Sequence, residues 1–318
     1  MLFRPDLPTI RHAAELLAPF LPVTRTVSAP SLARDGSPVY LKLEIELPTG
    51  SFKPRGAIYA LATNLKRRKI TEVTASSTGN HGAAVAYAAK VLGVPATIFL
   101  PANPNPVKRG KIRDISAKIV ETGAGDLAQA FQDAAEYSRR PGVYFLNDAT
   151  DPDLPAGPAT IGFEIAQQVP QAATIYVPMG DTALIRGLAA AAKQLISEVR
   201  IVGVQAERAP SYYLSWKQGI VVPTDTCDTC ADGLATRTPE AENVAMIREL
   251  VDDVVLVSEE QMLGAIRYLY EEEKIIAEPA GAAATAAFLA SPVRSGSTVL
   301  LVSGANISQD VRQRAGIA

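Results

Sequence analysis

The sequence is poor in the residues that several functions demand. Of 318 residues, two are cysteine and two are histidine. Cys227 and Cys230 form a C-x-x-C in "DTCDTCAD", but a structural zinc site needs further ligands and only His12 and His81 are on offer. A redox dithiol is expected between a strand and a helix early in a βαβ unit, and this segment is neither early nor so placed. The pair therefore reads as a turn that holds two thiols, with regulatory oxidation as the lesser alternative. Charge of one sign is also missing: 31 Lys+Arg against 33 Asp+Glu leave a formal charge of −2, and no dense basic run occurs. Electrostatic capture of nucleic acid or of an anionic membrane surface has no support. No stretch reaches the roughly 18 uninterrupted apolar residues that a membrane span needs. The opening "MLFRPDLPTIRHAAELL" carries Asp, Pro and Glu where a signal peptide needs an apolar core, which predicts mature sequence and a cytoplasmic protein. Walker A and G-x-G-x-x-G are absent as well, so nucleotide motifs do not fit.

What remains is an ordinary globular composition, 47% hydrophobic and 20% charged, in a chain long enough for one large domain or two moderate ones. Short β-rich runs alternate with long Ala/Leu-rich stretches. "PVYLKLEI" precedes a helix over 54–67, "EVTASS" one over 79–92, "ATIFL" one near 106–114 and "AKIVET" one over 126–138. After "GVYFLN" come a helix over 159–168, "ATIYVPM" with 181–197, "RIVGVQ" with 211–218, "DVVLVS" with 258–272 and 279–290, and a last strand "STVLLVS". This alternation predicts an α/β fold with parallel sheets and helices on both faces. Ligands of such sheets bind beyond the carboxyl ends of the strands, where loops enter helix N-termini. The Pro/Asp-rich "NDATDPDLPAGP" at 147–158 is the candidate crossing between domains.

Four strand–helix junctions hold chemistry. In "TGSFKPRG", Lys53 stands between a glycine turn and Pro54. Proline suits the first turn of a helix and pushes the preceding residue away from helical angles. Lys53 is then fixed at the helix entrance, and desolvation together with neighbouring Arg55 predicts a lowered ammonium pKa, the mark of a nucleophile or Schiff-base former. The "SSTGNHG" turn at 76–82 exposes backbone N–H groups and the hydroxyls of Ser77 and Thr78 at a helix N-terminus, fit for a carboxylate or phosphate, with Asn80 able to anchor a ligand oxygen. "VPMGDTAL" at 177–184 offers a second positive helix end with Thr182. In "LVSGAN" the final strand delivers Ser303 into a turn. Each junction alone is equally well a structural turn.

Taken in order, the junctions resemble the fold-type II pyridoxal-phosphate enzymes, which are tryptophan synthase β-like, and within them the serine/threonine dehydratase group that also contains serine racemase. "LKLEIELPTGSFKPRGA" looks like the lysine motif of that family, "ASSTGNHGAAVAYAA" its asparagine loop and "VPMGDTALIRG" its phosphate loop. "EPAGAA" and "LVSGANI" look like its C-terminal pair, and "DPDLPAGPATIGFEI" its crossing into the large domain. The resemblance covers essentially the whole chain. It implies two doubly wound α/β domains with the cofactor between them: a large domain of 1–47 and 151–318, and a small one of 48–150. It further implies a Schiff base between Lys53 and pyridoxal 5'-phosphate, with Phe52 packing beside the ring and Asn80 bonding its 3-oxygen. Ser77, Thr78, Gly79 and His81 would surround the substrate carboxylate. The backbone of Gly180, Asp181, Thr182, Ala183 and Leu184 would hold the phosphate, and Ser303 would face the pyridine nitrogen. A serine at that place leaves the ring unprotonated in this family, which suits elimination.

The sequence departs from the family pattern in places. Asp181, Thr182 and Ala183 replace a run of glycines, and an aspartate beside a phosphate is repulsive unless it points away. Pro158-Ala159 replace the usual Gln-Gly, and Ile45 and Leu47 replace polar residues. Glu207 is not followed by the aspartate that the metal site of the racemase-like branch needs, so no metal is expected. The resemblance implies elimination of water from an L-β-hydroxy amino acid of the threonine or serine type, giving a 2-oxo acid and ammonia, with Lys53 removing the α-proton. The alternatives are racemisation, for which the family uses a serine where Thr78 falls, β-replacement on the same cofactor and, in another class, a non-catalytic ligand-binding module. A homodimer is expected, and the chain end soon after "SGANI" predicts no C-terminal regulatory domain. Tyr212, Tyr213 and Trp216 are candidates for a substrate side-chain pocket or, as the commoner outcome, for core or dimer contacts.

Overall fold

The computed structural model describes residues 4–77, 79–102, 106–115, 117–123, 127–291 and 295–317. In chain order the strands are β1 (Thr26–Ser28), β2 (Val39–Leu43), β3 (Glu72–Ser76), β4 (Ala96–Leu100), β5 (Lys118–Glu121), β6 (Val143–Phe145), β7 (Ala172–Pro178), β8 (Arg200–Ala206), β9 (Asp253–Val257) and β10 (Ser297–Val302). They form a six-stranded sheet of order β1-β2-β10-β7-β8-β9 and a four-stranded sheet of order β5-β4-β3-β6. Every pairing is parallel except β1 with β2, an antiparallel edge ribbon of three residues. The α/β class and its parallel sheets are as expected; the short β1 is an addition.

The helices are α1 (Leu7–Leu17), α2 (Pro54–Arg67), α3 (Asn80–Leu92), α4 (Pro106–Asp114), α5 (Leu127–Tyr137), α6 (Ala156–Gln168), α7 (Ala183–Leu195), α8 (Ser211–Gln218), α9 (Ala241–Leu250), α10 (Glu259–Glu273), α11 (Pro279–Ala290) and α12 (Gln309–Ala315). The alternation in the sequence anticipates α2 to α8, α10 and α11. It does not anticipate α1, which precedes the first strand, α9, which lies between β8 and β9, or α12, which follows the last strand. The Ala-rich helices are Ala-rich because they are enclosed: α11 is buried from Pro279 to Phe288, and α7 from Ala183 to Ala192. Small side chains let such helices lie close against sheets and each other. At Gly157 of α6 a Cβ would stand 2.2 Å from the Arg55 carbonyl oxygen, so that helix meets α2 at backbone contact. Among the described residues no helix is long and apolar enough to cross a membrane.

Strand burial explains the sequence pattern. All six residues of β10 are buried, and β7 and β8 are buried but for one residue each, as expected where helices cover both faces. Three apolar clusters carry most of the core. Two lie against the large sheet, and the third joins α1, α2 and α3 to the small one.

A closed ionic cluster joins β2, α2 and α6. Arg55 donates Nε and Nη2 to Glu44 at 2.8 and 3.0 Å, and Nη1 and Nη2 to Glu164 at 2.6 and 2.9 Å. Its Nη1 also donates to Thr160 Oγ1 at 2.9 Å. Lys42 Nζ donates to Glu164 at 2.6 Å and to the Thr24 carbonyl at 2.8 Å. Two cations meet two anions, all of them buried. Burial pushes the Lys42 ammonium below its ordinary range, and the neighbouring glutamates only partly restore it. The Arg55 guanidinium is held above its ordinary range, because Glu44 and Glu164 outweigh the cost of its burial.

Candidate active site

The carboxyl ends of both sheets open onto one cavity. It is lined by Phe52, Lys53, Asn80, Gly180, Asp181 and Leu184 and, from the other side, by Gly233, Glu278, Ala280 and Ser303. Residues from all four junctions therefore meet at it, while Ser77, Gly79, His81, Thr182 and Ala183 are not among its lining residues.

The lysine loop is stitched to the exit of β10. The Phe52 amide donates to the Ser303 carbonyl at 3.1 Å, the Ala305 amide to Gly50 at 2.9 Å, and Asn306 Nδ2 to Thr49 at 2.9 Å. Pro54 takes the first position of α2, as expected. Lys53 itself has φ −59° and ψ −28°, helical values that contradict the expected extended conformation. The steric preference before proline is weak enough to be overridden by the β10 contacts and by the turn bond from the Arg55 amide to the Phe52 carbonyl, 3.1 Å long.

The expected lowering of the Lys53 pKa is also overturned. Burial alone would lower it, but Asp148 and Asp181 raise it above the ordinary lysine range. Lys53 Nζ lies 2.5 Å from Asp148 Oδ2 and 2.9 Å from Asp181 Oδ2. The anticipated cationic neighbour, Arg55, points into the closed cluster instead. Asp148 opposes its own burial with the charges of His81 and Lys53 and is held well below the usual carboxylate range. Asp181 is pushed up, first by burial and then by Asp148.

On α3, Asn80 is held from both ends. Its Oδ1 accepts from Asn306 Nδ2 at 2.6 Å, and its Nδ2 donates to Glu278 Oε1 at 2.5 Å. The Gly79 amide donates to Ser77 Oγ at 3.1 Å, and His81 is buried with Nε2 2.9 Å from the Leu146 carbonyl and Nδ1 3.6 Å from Asp148. Thr78 lies outside the described residues. On the large sheet, Ser303 lines the cavity, its Oγ 3.5 Å from the Ala280 carbonyl.

The loop before α7 is drawn tightly. A Cβ at Gly180 would stand 2.1 Å from the Gly233 carbonyl oxygen, so glycine is required there. Thr182 adopts φ 74°, a left-handed conformation costing about 1 kcal/mol or more for a residue with a Cβ. Arg186 Nε, one turn on, donates to its Oγ1 at 3.1 Å. The Asp181 carboxylate points both ways: Oδ1 accepts from the Ala183 amide at 2.9 Å and Oδ2 faces Lys53.

Pyridoxal phosphate fits this donor set. A primary amine for its aldehyde, an amide and a hydroxyl for its ring, and the first turn of a thirteen-residue helix for its phosphate surround a single cavity. Seating the phosphate on the Ala183 amide requires Asp181 to yield that bond.

Asp148, Glu278, Asn306 and Gly233 were not singled out as site residues. Asp148 directly follows the strand end "GVYFLN", where the carboxyl-end rule alone could have found it. Glu278 and Asn306 sit inside the motifs "EPAGAA" and "LVSGANI". Tyr212 is core: it is buried and its hydroxyl accepts from the Glu240 amide and from Asn243. Tyr213 and Trp216 pack on the same apolar cluster as partly buried residues. Cys227 and Cys230 are free thiols, and burial together with Glu259 pushes Cys230 up to about 12.

Comparison with known proteins agrees with this geometry. Residues 17–304 match the family model described as "Pyridoxal-phosphate dependent enzyme". An L-threonine ammonia-lyase of Geobacter sulfurreducens is 39% identical over 274 residues, 86% of this chain and 68% of that protein. The solved structure of maize serine racemase superposes with a TM-score of 0.91 at 28% identity, covering 99% of this chain and 97% of that one. The solved structure of a threonine deaminase from Solanum lycopersicum, isoform 2 in its processed form, superposes with a TM-score of 0.89 at 27% identity, covering 99% and 94%.

Proposed function

The chain belongs to the pyridoxal-phosphate dependent enzyme family, and from that premise we propose that it is an ammonia-lyase acting on an L-β-hydroxy amino acid of the threonine or serine type. The observation that carries the proposal is the convergence of Lys53, Asn80, Ser303 and the α7 N-terminus on one cavity, in a chain 39% identical to an L-threonine ammonia-lyase. Lys53 would hold the cofactor, Phe52 would flank it, and Asn80 and Ser303 would bond its ring. The backbone of Gly180 to Leu184 would hold its phosphate. When bound, pyridoxal phosphate supplies the electron sink for the charge left on the α-carbon.

The residues of the chain do the rest. The N-terminus of α3, with Ser77, Thr78, Gly79 and His81, receives the substrate carboxylate, because first-turn amides and the helix dipole favour an anion there. Asn306 and Glu278 fix the Asn80 amide, so its orientation costs nothing at the moment of reaction. Lys53, neutral once it has lost its proton, accepts the α-proton; the β-carbon–oxygen bond breaks as the hydroxyl takes up a proton, so that the α-proton and the hydroxyl together account for the water lost and Lys53 returns to its neutral form. Hydrolysis of the enamine released from the site then gives the 2-oxo acid and ammonia, so the balance is amino acid to 2-oxo acid plus ammonia. The same proposal places the large domain at 1–47 and 151–318 and the small one at 48–150. It makes the protein a cytoplasmic homodimer, the latter checked by light scattering.

The likeness to maize serine racemase favours one second reading, racemisation in the same site. One experiment addresses both. The cofactor-loaded protein is incubated with L-threonine, L-serine, L-threo-3-phenylserine and 3-hydroxyaspartate while 2-oxo acid, ammonia and the chirality of recovered substrate are measured. Equal release of oxo acid and ammonia supports elimination. Inverted substrate without oxo acid replaces it by racemisation.

A further inference from the structure

The site holds one feature that elimination of water from threonine does not use: a carboxylate pair shaped around an ammonium. Asp148, at the end of the small sheet, and Asp181, at the end of the large one, close on Lys53 Nζ at 2.5 and 2.9 Å. We propose that Asp148, assisted by Asp181, selects amino acids whose side chain carries a second ammonium group. The inference rests on the ammonia-lyase reading and names the substrate class for it.

Charge carries the argument. Under that reading the Lys53 nitrogen is committed to the cofactor and must be neutral when it comes to take the α-proton, so at that stage it is no counterion for two carboxylates. Asp181 keeps compensation of its own: the Ala183 amide at 2.9 Å, the positive end of α7 and the field of the buried Arg186. Asp148 keeps His81, at 3.6 Å, and a side-chain hydrogen bond with Asp181, but neither is a close fixed cation. A mostly buried carboxylate without a close cation is costly, and a substrate methyl placed against it gains nothing and strips its water. A substrate ammonium restores the pairing that Lys53 provides here. The place is suitable, because Asp148 lies between His81 and Lys53, the groups assigned to the substrate's carboxylate and its α-carbon. A substituent carried on the β-carbon falls between those two.

The test uses two inert probes of equal length, L-2,4-diaminobutyrate and L-norvaline, which differ in a terminal ammonium against a methyl and lack a β-leaving group. Dissociation constants are read on the cofactor-loaded protein from the change in cofactor absorbance. The wild type is expected to bind diaminobutyrate at least about tenfold more tightly, as for one hydrogen bond to a charged group. Asp148→Asn is expected to erase the preference by weakening diaminobutyrate more than norvaline, and Asp148→Glu to retain part of it. Equal binding of the two probes by the wild type, or equal weakening of both by Asp148→Asn, overturns the inference. Turnover of L-threonine in a preparation without the preference overturns this inference alone. A preference for diaminobutyrate in a preparation that deaminates no β-hydroxy amino acid overturns the ammonia-lyase reading alone.

Discussion

Two basic residues of one motif, Lys53 and Arg55, head clusters of opposite character. Arg55 sits among Glu44, Glu164 and Lys42, two cations with two anions, where both carboxylates are gripped by a guanidinium fork. Nothing in that cluster is left to react. Lys53 faces two carboxylates, one of which also has His81 at 3.6 Å, and its side chain is 15% exposed. The first arrangement is complete without a ligand. The second sets one movable amine between two hydrogen-bonded carboxylates at the edge of a cavity. Buried charge therefore marks function where it borders a cavity, and structure where it is closed off.

The largest way to break this comparison is to remove each base in turn. Lys53→Ala should lower turnover at least about a thousandfold while the fold persists. Arg55→Leu, which leaves buried Glu44 without its guanidinium partner and Glu164 with Lys42 alone, should cost about 3–5 kcal/mol in urea denaturation. Activity surviving the first change, or stability surviving the second, would reverse the roles.

A smaller effect separates the clusters by pH. Asp148 titrates below its unfolded value of about 3.9, so its contribution to stability is complete above that value and is lost as pH falls through the folded one. In cofactor-free protein the melting temperature of Asp148→Asn should therefore lie below wild type at pH 6, and the gap should narrow toward pH 3. A gap that widens on acidification would contradict the assigned sign. The smallest prediction lies outside both clusters. With its thiol pushed up to about 12, Cys230 should be alkylated at pH 8 more than about tenfold more slowly than a free thiol. Rapid modification would return the C-x-x-C to consideration as a redox element.

Much of the architecture was legible because strand–helix alternation is periodic and local. The bounds of α2, α8 and α11 coincide with the expected ones. The cavity-lining trio of Lys53, Asn80 and Ser303 was legible because each stands at a junction marked by glycine or proline. Asp148 was not, since its partner Lys53 lies 95 positions away and no breaker marks its turn. The error over Arg55 has a geometric cause. Residues two apart at a helix start project about 200° from each other, so the nearest charge in sequence is on the far side in space. Short elements such as β1 are set by their partners, not by their own pattern.

The most direct test of the central claim is to treat the cofactor-loaded protein with borohydride, digest it and locate the pyridoxyl group by mass spectrometry. The account predicts the group on the peptide containing Lys53, and none on Lys42, whose ammonium is enclosed in the balanced cluster. A protein that takes up no pyridoxyl group, or carries it at another lysine, would contradict the account.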